Sequence, residues 1–526
     1  MRDANKLADQ IGRAGAIIII WSLVDKVLAV IKEMLTAQRF GISASLDVFN
    51  LAYSFPGTVI LLFSGALTSA FVPMYLAWRT ASDREADSHA TWLIYITVLF
   101  FSTVSLMGYL FTPEIMRLIG YGFPPEERNM AVTMERWLIL LVAIDGAGIV
   151  FLGILHARKL FFHLYVAPIF INLTIIFLLI VDMGQDVYVL VWGFLIGTTL
   201  KTVYMGVALR RENFLFGTPL PFDRQKMKTF GLLVIPLLGS QLIANSNLFV
   251  DHVMAAQLSA GSVSTLRYAF RINDLPIQIV IMAISRAIFP FISEEAAAGN
   301  QENLRTIFKY TILFLGLITI PITCLMILFS EDVVILLLKR GAFDLEAARQ
   351  TAQTLVYYSL GLFFYAYTFV NGTFFAAIQQ AKTLLYMGIF SIFLNVIFNM
   401  LFMHFFGVQG IAMSTSATMG IVSICFFIIL NRHLDITGLS TISSNFSRII
   451  FSAAGMMGAG WVMISGFEAL AVSRWVIAPI AAVTAISVYL GIIWLVRTPD
   501  LDICMTVLID KITAKKKAAF RSGSIT

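Results

Sequence analysis

Charge is what this sequence has least of for its length. Asp, Glu, Lys and Arg make up 13% of its 526 residues, against 59% hydrophobic residues and a mean hydropathy of +0.85. Soluble domains carry about 25% charged residues, so lipid rather than water is expected to solvate most of the surface. Cysteine is nearly absent: Cys324, Cys425 and Cys504 are far apart and form no Cys-x-x-Cys or Cys/His cluster, which excludes a disulfide framework and a zinc site. His156, His163 and His404 show no ligand spacing either. A phosphate-binding glycine loop, a nucleophile motif and a metal motif are all missing. The loops around Glu114 to Arg128 and Glu331 to Arg349 are too short to carry the catalytic acids of a membrane glycosyltransferase or ligase, so no enzyme is expected. Nor is a cleavable leader, because Asp25 and Lys26 interrupt the first apolar run. The net charge of +6 does not point to nucleic acid, since the basic residues are scattered over short loops apart from a cluster at Lys515, Lys516, Lys517 and Arg521.

What the chain has in abundance is apolar runs. A helix crossing the hydrocarbon needs roughly 20 mostly apolar residues, and about fourteen runs of that length separate at polar or Pro/Gly breaks. The expected fold is all-α and polytopic. Lys and Arg alternate in the way short cytoplasmic loops require. One side collects Arg79, Arg84, Arg158, Lys159, Arg210, Arg211, Lys382, Arg432 and the basic tail; the other has little beyond Arg39, Arg117, Lys339, Arg340 and Arg474. An even number of spans then places both termini in the cytoplasm.

Two halves match at a shift of about 220 residues: Ala70-Phe71-Val72-Pro73 recurs as Ala287-Ile288-Phe289-Pro290, and His156-Ala157-Arg158-Lys159 with Asn172 as Gln379-Gln380-Ala381-Lys382 with Asn395. Six spans is an even number, so the repeat is parallel. The expected organisation is a six-helix lobe over 1–211, a second over 225–432, two additional helices over 445–497 and a cytoplasmic basic tail over 498–526. Transporters built from repeats hold substrate between the halves and rock them.

Ionised side chains near the bilayer centre cost about 3 kcal/mol or more unless they meet water or a partner, which makes them candidate functional residues. Asp25, Lys26, Lys32 and Glu33 fall within one arc of roughly 120° on the first span at 100° per residue. Arg267, Arg271 and Asp274 form a similar stripe on the eighth, followed by Arg286, and Asp47 begins the second. The functional reading is a cavity whose cations hold an anionic headgroup, a diphosphate above all, with Asp25, Glu33, Asp47 and Asp274 as exchange partners or gates. The alternative is a set of static ion pairs between helices, or snorkelling to the interface. Asp251, Asn395, Asn399 and Thr415 offer oxygens suited to a hard monovalent cation, with a proton relay or plain interhelical hydrogen bonding as the other readings. Asp145 and Lys201 are isolated charges, expected to pair structurally.

At the seventh and eighth spans the sequence Phe249-Val250-Asp251, Gly261-Ser262-Val263-Ser264, Tyr268-Ala269, Arg271 and Pro276 resembles the MurJ/MviN family of lipid II flippases, within the multidrug/oligosaccharidyl-lipid/polysaccharide exporter superfamily. Phe40-Gly41, Asp47 with Phe49, Pro56, Ala70-Phe71-Val72-Pro73, Pro290 and Gly299-Asn300 extend the likeness. The resemblance implies two lobes around a cationic cavity in a bacterial inner-membrane protein, and a groove for a polyprenyl tail on the last two helices. It places essential cavity cations on Lys26, Lys32 and Arg271, acidic partners on Glu33, Asp47 and Asp274, and a sodium site on Asp251, Asn395, Asn399 and Thr415. The expected substrate is a polyprenyl-diphosphate-linked sugar, lipid II for peptidoglycan synthesis, or alternatively an exopolysaccharide or O-antigen precursor; a cation-coupled drug exporter is a third reading. Membrane lipids and the cell-wall or polysaccharide synthesis machinery are the implied partners, with no cofactor beyond Na⁺ or H⁺ coupling. Ile60, Leu61 and Ser64-Gly65 stand where many members carry arginines and a Glu-Gly pair, so one cavity cation is missing here.

Overall fold

The computed structural model describes residues 2–181, 186–216, 221–434, 439–469 and 474–506. The side chains of 2–14, 16, 243, 244, 280, 283, 286, 287, 381, 439, 468, 469 and 475 are not among those described. The basic cluster of the tail and the Arg286 side chain therefore lie outside the described residues. Every regular element among the described residues is helical.

Ten helices come first: α1 (Arg2–Phe40), α2 (Ala44–Arg79), α3 (Asp83–Leu110), α4 (Thr112–Ile119), α5 (Pro125–Leu138), α6 (Leu140–Ala157), α7 (Phe161–Val166), α8 (Ile169–Val181), α9 (Tyr188–Arg211) and α10 (Arg224–Ala255). Then α11 (Ser262–Pro276) runs through a π-turn (Ile277–Ile281) into α12 (Met282–Ala297). The remaining helices are α13 (Gln301–Leu328), α14 (Ser330–Leu338), α15 (Leu345–Leu360), α16 (Leu362–Ala377), α17 (Ala381–Leu434), α18 (Leu439–Ala469) and α19 (Arg474–Leu495). Polar residues mark the starts, where four backbone N–H groups lack helical partners. Ser43 accepts from the Leu46 amide, Ser82 from Glu85, Asp223 from Gln225 and Lys226, and Asn300 from Asn303. At Asp223 the Lys226 and Gln225 amides hold the carboxyl below its usual range.

Among the described residues, nine helices are long and apolar enough to cross a membrane, or up to eleven if each of two bent pairs counts as one span. This is a multi-pass membrane protein. Two further expected spans, α1 and the α11–α12 pair on either side of the π-turn, run over side chains outside those described. α17 runs two expected spans together through a bend at Gly407, whose φ of 57° and ψ of −132° suit only glycine. Leu99, Leu118, Trp461 and Leu495 are each more than two-thirds exposed or close to it, at 71%, 77%, 66% and 74%, as side chains facing lipid tails are.

Two compact units emerge, bounded differently from the repeat: Met1–Tyr268 with Leu337–Ala348, and Ala269–Leu336 with Arg349–Thr526. In the first, α2, α3, α6 and α9 close over Phe71, Tyr75, Phe101, Ile154 and Met205. A buried cluster ties their ends: Arg158 donates to Asp87 at 2.5 Å and to the Tyr75 hydroxyl at 2.8 Å. The strap Leu337–Ala348 is held through the Ala342 amide, which donates to the Gln38 carbonyl at 2.7 Å, and through Phe343, edge-on to Tyr268 at 5.5 Å. In the second unit Phe308, Leu362, Phe374 and Phe375 form one core, and Leu313, Ile449, Met456 and Tyr489 join α13, α18 and α19 in another.

Candidate functional site

The first unit gathers part of the charged stripe into a narrow crevice with room for about one water molecule. α1 supplies Lys32, Glu33 and Thr36, α2 supplies Asn50, and the first turns of α11 supply Arg267. Lys32 Nζ lies 3.2 Å from Glu33 Oε1, with side-chain exposures of only 11% and 14%, so both charges are largely withdrawn from solvent. The ammonium also sits 5.7 Å from the centre of the Phe194 ring, a cation–π contact. Facing this pair, Arg267 Nη1 donates to Asn50 Oδ1 and its guanidinium lies 5.9 Å from the Tyr53 ring centre.

Behind Arg267 a chain of hydrogen bonds fixes its partner. Asn50 Nδ2 donates to Ser264 Oγ at 3.2 Å, and Ser264 Oγ donates to Asp47 Oδ1 at 2.5 Å. The Asp47 carboxylate also accepts from the backbone amides of Gly261 and Ser264, both at 2.7 Å, and from Val263 at 3.4 Å. Asp47 was expected among the charge partners of the cavity. The structure instead makes it the cap of α11: no cation pairs with it among the described residues, and its oxygens satisfy the exposed amides and positive dipole end of that helix. Gly261 makes the approach feasible, since its φ is +92° and a Cβ there would lie 2.5 Å from the Ile42 carbonyl oxygen.

The other expected residues are scattered over both units. Lys26 is exposed and makes no hydrogen bond or ion pair among the described residues. Six residues is 600° of helix, which leaves it about 120° around α1 from Lys32, so the two lysines occupy opposite edges of one stripe. Asp25 accepts from Asn172 Nδ2 of α8 at 3.0 Å. Arg271 is exposed one turn beyond Arg267, at the start of the second unit, and Asp274 accepts from Gln278 of the π-turn at 3.3 Å. Asp251 is buried in the first unit; Asn395, Asn399 and Thr415 belong to the second, where Asn399 Nδ2 donates to Asn395 Oδ1 at 3.2 Å and Thr415 donates to the Ile411 carbonyl. No group of three His, Cys, Asp or Glu fit to hold a metal ion occurs among the described residues. Asp145 and Lys201 pair at 2.5 Å, as their isolation implied. Asn50 is passed over by a search for misplaced charge, and Ser264 enters the sequence reading only as part of a family motif, because neutral amides and hydroxyls carry no such signal; Asn50 one turn after Asp47 is the trace that was there.

A family model described as "Lipid II flippase MurJ" matches residues 36–479. The chain belongs to the MurJ family. Among curated MurJ relatives, the "Probable lipid II flippase MurJ" of Borreliella burgdorferi is 26% identical over 423 residues, covering 80% of this chain and 83% of the relative. Its namesake from Rhizobium meliloti is 27% identical over 462 residues, covering 84% and 85%. A solved structure of "Lipid II flippase MurJ, inward closed conformation" superposes with a TM-score of 0.77 at 23% identity, over 91% of this chain and 98% of that one. An inward-facing multidrug resistance MATE family transporter of the MOP superfamily superposes with a TM-score of 0.68 at 17% identity, over 80% and 98%. The MurJ family is one of transporters rather than catalysts, and the fold is shared with MATE exporters.

Proposed function

We propose that the chain flips lipid II from the cytoplasmic to the outer leaflet of the bacterial inner membrane by alternating access, with both termini in the cytoplasm. The observation that carries this reading is the cleft itself: two cations, Lys32 and Arg267, withdrawn from solvent in a lipid-embedded unit and held by partners a substrate can replace. Glu33 neutralises Lys32, while Asn50 offers Arg267 only a neutral oxygen. A diphosphate brings two or more charged oxygens, which a guanidinium fork binds far better than one amide. Its arrival shifts Arg267 from Asn50 to phosphate and frees Asn50, whose amide then donates to the headgroup. Lys26 and Arg271, both exposed, serve as further phosphate contacts during loading. Family membership favours lipid II over an exopolysaccharide precursor, because the family model and both curated MurJ relatives carry that substrate in their names.

Complementation tests the reading. The wild-type gene should restore growth to a strain depleted of its lipid II flippase. Arg267→Ala should fail at equal membrane abundance, with flipping reduced at least tenfold, and Arg267→Lys should restore only part. Rescue by the alanine variant at wild-type levels would sink the assignment of the cleft.

A further inference from the structure

Glu135 of α5 belongs to neither the cleft nor any ion pair among the described residues. It is 0% exposed, and Oε1 and Oε2 both lack a hydrogen-bond partner. Its buried neighbours on α5, Ala131, Met134 and Leu138, are apolar. An ionised carboxylate has no means of persisting in such surroundings, and the group takes up a proton instead.

We propose that Glu135 is a proton-binding site: it is held as the neutral acid in this conformation and releases its proton to water when α5 separates from its neighbours, so that each transport cycle is linked to protonation.

Among the charged and titratable groups on the helices packed against α5, Tyr188 of α9 meets α5 itself, through a hydrogen bond with Thr133, and the others are exposed or engaged elsewhere. On α2, Asp47 caps α11 and Tyr53 lies against Arg267, while Tyr75 and Arg79 at the far end bind Asp87 and Asp83 of α3. On α6 and α9, Asp145 and Lys201 satisfy each other, and Tyr204 bonds His163. Glu114 and Arg117 of α4 are exposed. Tyr109 of α3 lies beneath Arg136, which is itself exposed on the outer side of α5. None of them supplies the counter-charge that would make Glu135 a structural anion.

The build of α5 gives the acid a route to water. One turn after Glu135 the helical path tightens at Ile139, whose amide donates to the Glu135 carbonyl at 2.7 Å and whose carbonyl accepts from the Val142 amide at 3.1 Å and from Ser105 Oγ at 2.9 Å. At the other end α5 begins on Pro124 and Pro125. Arg128 gathers the preceding turn through the Tyr121 and Phe123 carbonyls, each at 3.0 Å. A helix that starts on a proline pair and tightens to a 3₁₀ step at Ile139 has its least regular backbone hydrogen bonds at its two ends. A packing role alone is met as well by glutamine or leucine, which makes the carboxyl the feature to explain.

The proton site stands on this geometry, and only its coupling to transport rests on the proposed function. Infrared spectra of the reconstituted full chain, taken at neutral and alkaline pH, should contain the carbonyl band of a protonated carboxyl that Glu135→Gln removes and Glu135→Asp displaces. Lipid II flipping in proteoliposomes should vary with pH, by at most about tenfold per unit for a single proton; Glu135→Gln should flip with that dependence flattened, and Glu135→Asp should retain it. A wild-type chain without the band, or a band that neither variant alters, overturns the site. A Glu135→Gln protein with the wild-type pH profile overturns the coupling. Absence of flipping by the wild-type chain at every pH would count against the lipid II reading and leave the infrared result to decide the proton site.

Discussion

Asp47 carries a capping role that its residue type alone does not announce. A carboxylate in an apolar span reads as a partner for substrate-binding cations, yet here its oxygens are taken up by two short amide bonds, a third longer one and a hydroxyl. Removing it strands those donors, each of which costs about 1–3 kcal/mol when buried without a partner. Asp47→Ala should therefore destabilise the purified protein by several kcal/mol in thermal unfolding, and Asp47→Asn, which keeps one acceptor oxygen, by clearly less; equal melting of the two variants would remove the capping role. The position of every charged candidate was legible from spacing and the cost of charge in lipid. Which of them meet was not. Lys26 and Lys32 share a stripe in the sequence but differ in exposure, because helical arithmetic gives an angle and leaves the facing helix unspecified.

Among the elements, α11 depends on more than its own sequence. Its first turn is shaped by a glycine whose backbone conformation and tight approach to Ile42 allow the N-terminal amides to reach Asp47. A side chain at that position costs about 1–3 kcal/mol of backbone strain before any clash is counted. Gly261→Ala should lower the melting temperature and weaken lipid II flipping together, since Arg267 lies on the turns that Gly261 positions; a variant that melts early yet flips normally would separate the cap from the cleft. Further along, the π-turn places Met282 N against Ile277 O, just after the missing donor of Pro276. Five residues spent on that turn rotate α12 relative to an uninterrupted helix. The periodicity that linked Arg267, Arg271 and Asp274 in the sequence thus could not be extended to Arg286. That slip leaves no trace in apolar periodicity, whereas the bend at Gly407 falls between the two spans that the sequence separates there.

At the scale of the whole molecule, helical class, membrane character and family were all readable from sequence, because they derive from the length and distribution of apolar runs and from motifs many residues long. The grouping of Leu337–Ala348 with the first unit was not, being a contact made across the chain with no local signature. Phe343 is 1% exposed, and truncating a buried Phe costs about 3–5 kcal/mol. Hydrogen exchange on Phe343→Ala should accordingly quicken around residues 38–42 and 261–268 while α18 and α19 keep their protection; faster exchange confined to α18 and α19 would contradict the assignment. The same strap constrains biogenesis. Membrane chains emerge from the ribosome N-terminus first, so Gln38 waits for its amide partner until some 300 residues later in synthesis, when Ala342 has been made. The first unit is thus inserted long before it is finished, and a nascent chain stalled between the two remains open at that end.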